Sequence, residues 1–363
     1  MKWGFRMKRE IWIDNLKGLL IFLVVLGHVI GGGYHIADQS SQTILGSIFK
    51  VIYLFHMPAF FFLSGFTFAD SNGWQWYTRK IKRLIVPYFA FGIISIVIYL
   101  LMFNVSSNAF SETATTARYD DFVKSTMSIW QPFISLLHAG GWPDGIGFRC
   151  NSVLWFLPCM FTAIVLFRHL VRKGHVALVF VSLLCMAVTI FDVIPKGLPW
   201  GLSKLPWFLP YMTLGWFCSK VASIHTESVG KNGTVLISVA ILAYVLIAYF
   251  IPDPGLMRAN GFGYLTLYAF GMVGCVLGVF TAKMITGRFW MLCGASSLGI
   301  MLLHKFLVLG FQLKMPGIRL LYSQSPIISV MVSIGLSLII TIFCFIGTSF
   351  IRKYVPCLIG ESR

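Results

Sequence analysis

Charge is what this sequence has least of. Only 11% of its 363 residues are Asp, Glu, Lys or Arg, while 57% are hydrophobic. A soluble globule needs a polar skin, and this composition cannot supply one. Long polar stretches are scarce too, so there is no room for a separate soluble domain. Acidic residues number 12 against 29 Lys and Arg, for a formal charge of +17. Such a charge could suggest nucleic acid. The basic residues, however, come in small groups between apolar segments rather than along one amphipathic face, so no nucleic-acid partner is expected and they read as topology signals. The eight cysteines stand singly, mostly inside apolar segments, with no C-x-x-C pair. That argues against a disulfide framework and against a metal site. Internal repeats and low-complexity tracts are lacking as well. Met1 to Arg9 and the apolar run behind them resemble a signal peptide, but an obvious small-residue cleavage site is missing and many further apolar segments follow. The expected outcome is a retained first helix.

What is present is a series of apolar stretches near the roughly 20 residues that cross a bilayer as a helix. They predict an all-α integral membrane protein, a bundle of about ten transmembrane helices over 16–33, 44–68, 84–103, 152–167, 176–193, 205–218, 234–251, 261–282, 289–308 and 326–350. Residues 1–363 then form a single transmembrane domain. Ten spans put both termini on one side, and that side carries 18 Lys and Arg against nine opposite, with Lys17 and Lys50 inside helices. The positive-inside rule makes that side, and both termini, cytoplasmic. The longest break, about 104–151, falls outside and holds Glu112, Asp120, Asp121, Asp144 and Gly140-Gly141-Trp142-Pro143. Loops of that length are often lids, though a solvated connector fits equally well.

Ionisable residues inside spans are costly, so each is a candidate for function. The first helix carries Asp14, Lys17 and His28. At 100° per residue, the 11 residues from Lys17 to His28 bring them to within about 20° of one face and about 16 Å apart along the axis. Asp14, three residues before Lys17, can pair with it. A strip with two charges and an imidazole must face protein or a watery tunnel rather than acyl chains. Taken alone, Asp14 and Lys17 also fit an interfacial ion pair with a snorkelling lysine. His56, in Phe55-His56-Met57-Pro58 of the second span, falls near mid-membrane, where the two imidazoles could meet. Pro58 and Gly65 would kink and thin that helix beside Ser64, making space for a ligand. Asn151 and Trp155 share a face at the start of the fourth span, where a tryptophan is by default an interfacial anchor. Gly294 to His304 reads as a small-residue packing helix that includes Ser297 and ends in an exposed histidine. The basic cluster Arg79, Lys80, Lys82 and Arg83 precedes Pro87, and taken alone reads as a lipid-headgroup anchor.

In this order these segments resemble the membrane-bound acyltransferase 3 family, and more closely its fucose 4-O-acetylase-like subgroup, over nearly the whole chain. The family carries Asp-x-x-Arg and a histidine eleven residues after the basic residue, matched here by Asp14, Lys17 and His28. The F-H-M-P-x-F-F-F-L-S-G segment around His56, the basic stretch to Tyr88, L-W-F-L at Leu154 to Leu157 and S-L-G-x-x-L-L-H at Ser297 to His304 follow in the family's order. Lys17 departs from the broader arginine pattern, and lysine cannot make arginine's bidentate contacts. The family's two arginines separated by two residues are met only loosely, by Arg79 with Lys82 or Lys80 with Arg83.

The resemblance implies transfer of an acyl group, usually acetyl from cytoplasmic acetyl-CoA, to a hydroxyl of a glycan or glycolipid acceptor in a bacterial inner membrane. No cofactor is bound permanently and no metal is required. His28 would act as general base or carry the acetyl transiently, near its working pH range. His56 would orient His28 or polarise the thioester carbonyl. Lys17 with Asp14, and the Arg79 to Arg83 cluster, would hold CoA. Ser64, Asn151, Trp155, Ser297 and His304 would line the tunnel or the acceptor path. Membrane lipid is a further partner, and a homodimer is among the assemblies left open. Without the resemblance, a transporter or flippase of a lipid-linked saccharide fits the same polar tunnel, as does a receptor or scaffold with structural histidines.

Overall fold

The computed structural model describes residues 10–33, 37–71, 73–106, 130–140, 148, 150–221, 230–251, 261–314, 316–322 and 324–361. Most of the expected outer loop, including Glu112, Asp120, Asp121 and Asp144, lies outside them, as do Met1 to Arg9. The helices, in chain order, are α1 (Ile11–Gly33), α2 (Gln39–Phe66), α3 (Trp74–Lys80), α4 (Val86–Ser106), α5 (Gln131–His138), α6 (Phe156–Lys173) and α7 (His175–Ile190). They continue with α8 (Leu205–Cys218), α9 (Lys231–Phe250), α10 (Gly261–Met284), α11 (Arg288–Ala295), α12 (Ser297–Lys314), α13 (Pro316–Tyr322) and α14 (Pro326–Tyr354). No strand occurs among the described residues.

This is an all-α, multi-pass membrane protein. Among the described residues, seven helices are long and apolar enough to cross a bilayer, or eight if the pair α11 and α12, bent by 85° at Ser296, forms one span. Nine of the ten expected segments coincide with one helix each, although α7 has 16 residues and α8 has 14, while 289–308 is divided between α11 and α12. In a bilayer only backbone that bonds to itself is tolerated, which is why these apolar runs are helical.

The chain divides into two compact units. The first holds Met1–Ala69, Leu170–Val193 and Trp207–Phe350. Its centre is α1, whose Leu16, Leu20 and Val25 are fully buried. Two close crossings fix its helices. A Cβ on Gly294 of α11 would collide with the Asp14 carbonyl of α1, and one on Gly18 of α1 with the Trp290 carbonyl of α11. Gly65 of α2 and Gly215 of α8 make the same reciprocal contact, with Met212 and Phe62. Small residues let backbones approach where dispersion drives association. Gly65 therefore clears room for a helix rather than for a ligand, and α2 runs unbroken through Pro58. Several polar side chains of this unit are satisfied by backbone carbonyls. Asn15 donates to the carbonyls of Ala282 and Ile285 at the end of α10 (3.3 and 2.8 Å), and Lys50 donates to those of Tyr249 and Ile251 at the end of α9 (2.8 and 2.7 Å). On α14, Ser329, Ser333, Ser337, Thr341 and Thr348 are buried, each hydroxyl donating to the carbonyl four residues back.

The second unit holds Asp70–His169, Ile194–Pro206 and Ile351–Arg363. Its α3 and α4 are joined by a π-helical turn, Ile81–Ile85. Pro87 follows directly, and a proline has no N–H and crowds the carbonyl four residues back, so the widened turn relieves that clash. Arg168, 2% exposed, donates to the Asp70 carboxylate and the Ser71 carbonyl, both at 2.8 Å, and stacks on Trp76 and Tyr77 at 4.5 and 4.6 Å.

Candidate functional site

The first unit carries the imidazoles. His28, half-buried on α1, has the ring of His304 on α12 at 5.2 Å between centroids and 39° between planes. His304 is fully buried, and α12 continues beyond it to Lys314, so it is not the exposed end of a helix as its sequence suggested. The imidazole set beside His28 is thus His304. His56, 3% exposed, packs its ring edge-on against Tyr53 at 4.7 Å. Tyr53 in turn lies against α1 at Gly27, where a Cβ would strike its ring. Lys305, His304 and His56 lie within electrostatic range of His28.

The two fully buried rings are each oriented by their own helix. The Nδ1 of His304 lies 3.1 and 2.8 Å from the Ile300 and Met301 carbonyls, and that of His56 lies 2.7 Å from the Ile52 carbonyl. A carbonyl only accepts, so Nδ1 carries the proton and the neutral ring leaves Nε2 with a bare lone pair. The Nε2 of His304 has no hydrogen-bond partner among the described residues, although it is buried. A buried bare nitrogen next to a second imidazole can accept a proton from a substrate hydroxyl.

Toward the start of α1, Lys17 and Asp14 are 4.0 Å apart, the pairing that their spacing predicts. Ser64 on α2 is half-buried and eight residues beyond His56, about 12 Å along the helix axis. Ser297 opens α12 seven residues before His304, about 10 Å away on nearly the same face.

The remaining candidates belong to the second unit. Arg79 donates to the Ser71 hydroxyl at 2.5 Å, and the Lys80 ammonium lies 5.5 Å from the Trp76 ring. Lys82 and Arg83 sit in the π-turn, against whose backbone Gly360 packs with φ +69°, leaving no space for a Cβ. Asn151 is 1% exposed and neither atom of its amide finds a partner among the described residues. Trp155 receives the Lys204 ammonium over its ring at 5.6 Å. Just before it, burial pushes the Cys150 thiol up to about 12. All eight cysteines are free, and among the described residues no three His, Cys, Asp or Glu side chains converge as metal ligands.

Sequence reasoning missed Tyr53, Arg168 and Lys305. Tyr53 is one aromatic in a chain that is 16% aromatic, so nothing marks it. Arg168 and Lys305 were counted as topology charges, although the isolation of Lys305 within an apolar run was a signal.

The family described as Acyltransferase domain matches residues 10–346. Two curated relatives are both named nodulation protein NolL. The one from Sinorhizobium fredii (strain NBRC 101917 / NGR234) is 45% identical over 58 residues, 16% of this chain and 15% of the relative. The one from Mesorhizobium japonicum (strain LMG 29417 / CECT 9101 / MAFF 303099) is 41% identical over 58 residues, with the same two shares. These matches therefore span under a sixth of the relatives' length. No solved structure matches the chain. With the family match running from the residue before α1 into α14 and taking in the paired imidazoles, the chain belongs to the membrane-bound acyltransferase 3 family.

Proposed function

We propose that this chain is an acyltransferase that moves an acetyl group from cytoplasmic acetyl-CoA to a hydroxyl of a cell-surface glycan or lipid-linked sugar in a bacterial inner membrane. The observation that carries the reading is the His28 and His304 pair: two imidazoles 5.2 Å apart, one with a bare and buried Nε2. A neutral imidazole is suited to take a hydroxyl proton at physiological pH. In this reading His28 takes the acceptor proton, His304 is the second base of the pair, and the freed oxygen attacks the thioester carbonyl. His56 positions the first two rings through Tyr53.

Acetyl-CoA has a charged nucleotide head and a slim arm, which suits cations at the cytoplasmic face and imidazoles deeper in. Lys17 with Asp14, and Arg79, Lys80, Lys82 and Arg83, are assigned to its phosphates and amides. Asn151, with an unpartnered amide, and Trp155 are assigned to the acceptor, with Ser64 and Ser297 lining the path. The charge bias of the sequence supports cytoplasmic termini and ten crossings, with α7 and α8 as short spans and the pair α11 and α12 as a broken one.

The test is radiolabelled acetyl transfer from acetyl-CoA into the glycan fraction of cells carrying wild type or His28→Ala at equal membrane levels. Label with wild type and none with the variant is expected. Equal label from both, or none above an empty-vector control, sinks the assignment and puts a saccharide transporter first.

A further inference from the structure

One half-buried charge of the first unit, without an ion pair or hydrogen bond among the described residues, remains outside that scheme. Lys305 lies in the middle of α12, directly after His304, on the stripe it shares with Met301 and Val308, which are 7% and 1% exposed. It is half-buried, and among the described residues it makes no ion pair or hydrogen bond. Among the described residues, the carboxylates of its own unit are those of Glu10, Asp14, Asp38 and Asp192. Glu10 accepts from Trp12, Asp14 meets Lys17, Asp38 accepts from Ser40, and Asp192 lies in the turn two residues beyond α7. The groups on which its charge acts are the imidazoles of His28 and His304, neither of which can neutralise it. A lysine inside a membrane helix without a counter-ion is costly, and such residues mark places where a negative charge arrives or forms.

We propose that Lys305 is the cation that stabilises the oxyanion formed at the acyl carbonyl during transfer. The proposal rests on the acyl-transfer reading above and supplies the group that reading lacks. As the acceptor O–H bond breaks, its proton passes to the His28 imidazole and its oxygen bonds to the thioester carbon. The carbonyl π pair moves onto oxygen, giving a tetrahedral alkoxide beside the Lys305 ammonium. When that pair returns, the C–S bond breaks, and the CoA thiolate leaves and takes the proton from the imidazolium. The ester and CoA–SH account for every atom. A fixed cation in a site of low dielectric acts most strongly on charge that exists only in the transition state. It therefore raises turnover without tightening the ground state.

The experiment uses inside-out membrane vesicles from expressing cells, ¹⁴C-acetyl-CoA, and the endogenous glycan and glycolipid as acceptor. It compares wild type, Lys305→Met, Lys305→Gln and Lys305→Arg at matched membrane levels, over a range of acetyl-CoA concentrations. The neutral variants are expected to lose about 10²- to 10³-fold in maximal rate, as when an oxyanion donor is removed. The half-saturating acetyl-CoA concentration should stay within about twofold, and Lys305→Arg should recover to within about tenfold of wild type. The proposal is overturned if either neutral variant transfers at the wild-type rate, if only the half-saturating concentration rises, or if Lys305→Arg is as inactive as Lys305→Met. If wild type itself transfers no label above His28→Ala, the acyl-transfer reading has failed and this inference falls with it.

Discussion

An imidazole whose Nδ1 proton is committed to a backbone carbonyl is a one-sided reagent, and His304 is built that way. Its Nε2 is the only ring atom left for chemistry. His304→Asn keeps an amide N–H near the Nδ1 position and discards the Nε2 end. A packing role tolerates that change, whereas a role in proton transfer does not. We expect His304→Asn to reach wild-type membrane levels and to transfer acetyl about 10²-fold more slowly or worse, the scale of a lost general base. Wild-type transfer by that variant, measured with labelled acetyl-CoA, returns His304 to packing. At this scale the sequence was half legible. His28 announced itself because three ionisable residues share one apolar helix. His304 did not, because Lys305, Gln312 and Lys314 follow it and imitate the polar end of a span. The partner of an imidazole is set by helix crossing, which one strand of sequence does not display.

Elements are positioned here by backbone touching backbone. The α1 and α11 crossing holds the start of α12, and so the histidine that α12 presents to α1. Gly294→Val would drive a branched side chain into the Asp14 carbonyl. Overpacking of that kind costs about 1–3 kcal/mol, so a lower melting temperature in detergent is expected, together with loss of transfer. Gly310 is the control: among the described residues nothing lies within 4 Å of its Cβ position. Gly310→Ala should be neutral or stabilise by up to about 1 kcal/mol through reduced backbone freedom. Equal melting of both variants would mean that the crossing does not hold α11. The sequence marked Gly294 as part of a packing stretch, but the 85° bend at Ser296 was invisible, since residues on both sides of it are apolar and helix-compatible. The π-turn at Ile81–Ile85 was equally silent, although Pro87 gives its cause in retrospect.

On the scale of the whole molecule, apolar run length was legible throughout. Each expected segment is helical, 289–308 as the broken pair α11 and α12, because a backbone that leaves water has no other partner than itself. Length alone could not tell a crossing from a short buried helix, which is why 176–193 and 205–218 remain proposals as spans. The side on which the chain ends is testable without any substrate. Cys357 is the one exposed thiol, set in the short turn Pro356–Ile359 after α14. Five of the others are buried, and among the two half-buried ones burial holds the Cys150 thiol protonated at neutral pH. Thiolate is the species that maleimides attack, so a membrane-impermeant maleimide should report on Cys357 almost alone. With cytoplasmic termini, spheroplasts are expected to stay unlabelled until they are permeabilised, and Cys357→Ser should abolish the label. Labelling of sealed spheroplasts would put the C-terminus outside. It would also reverse the 18-to-nine charge bias from which the orientation was read, and would move the Lys17 and Arg79 to Arg83 cations to the face that acetyl-CoA does not reach.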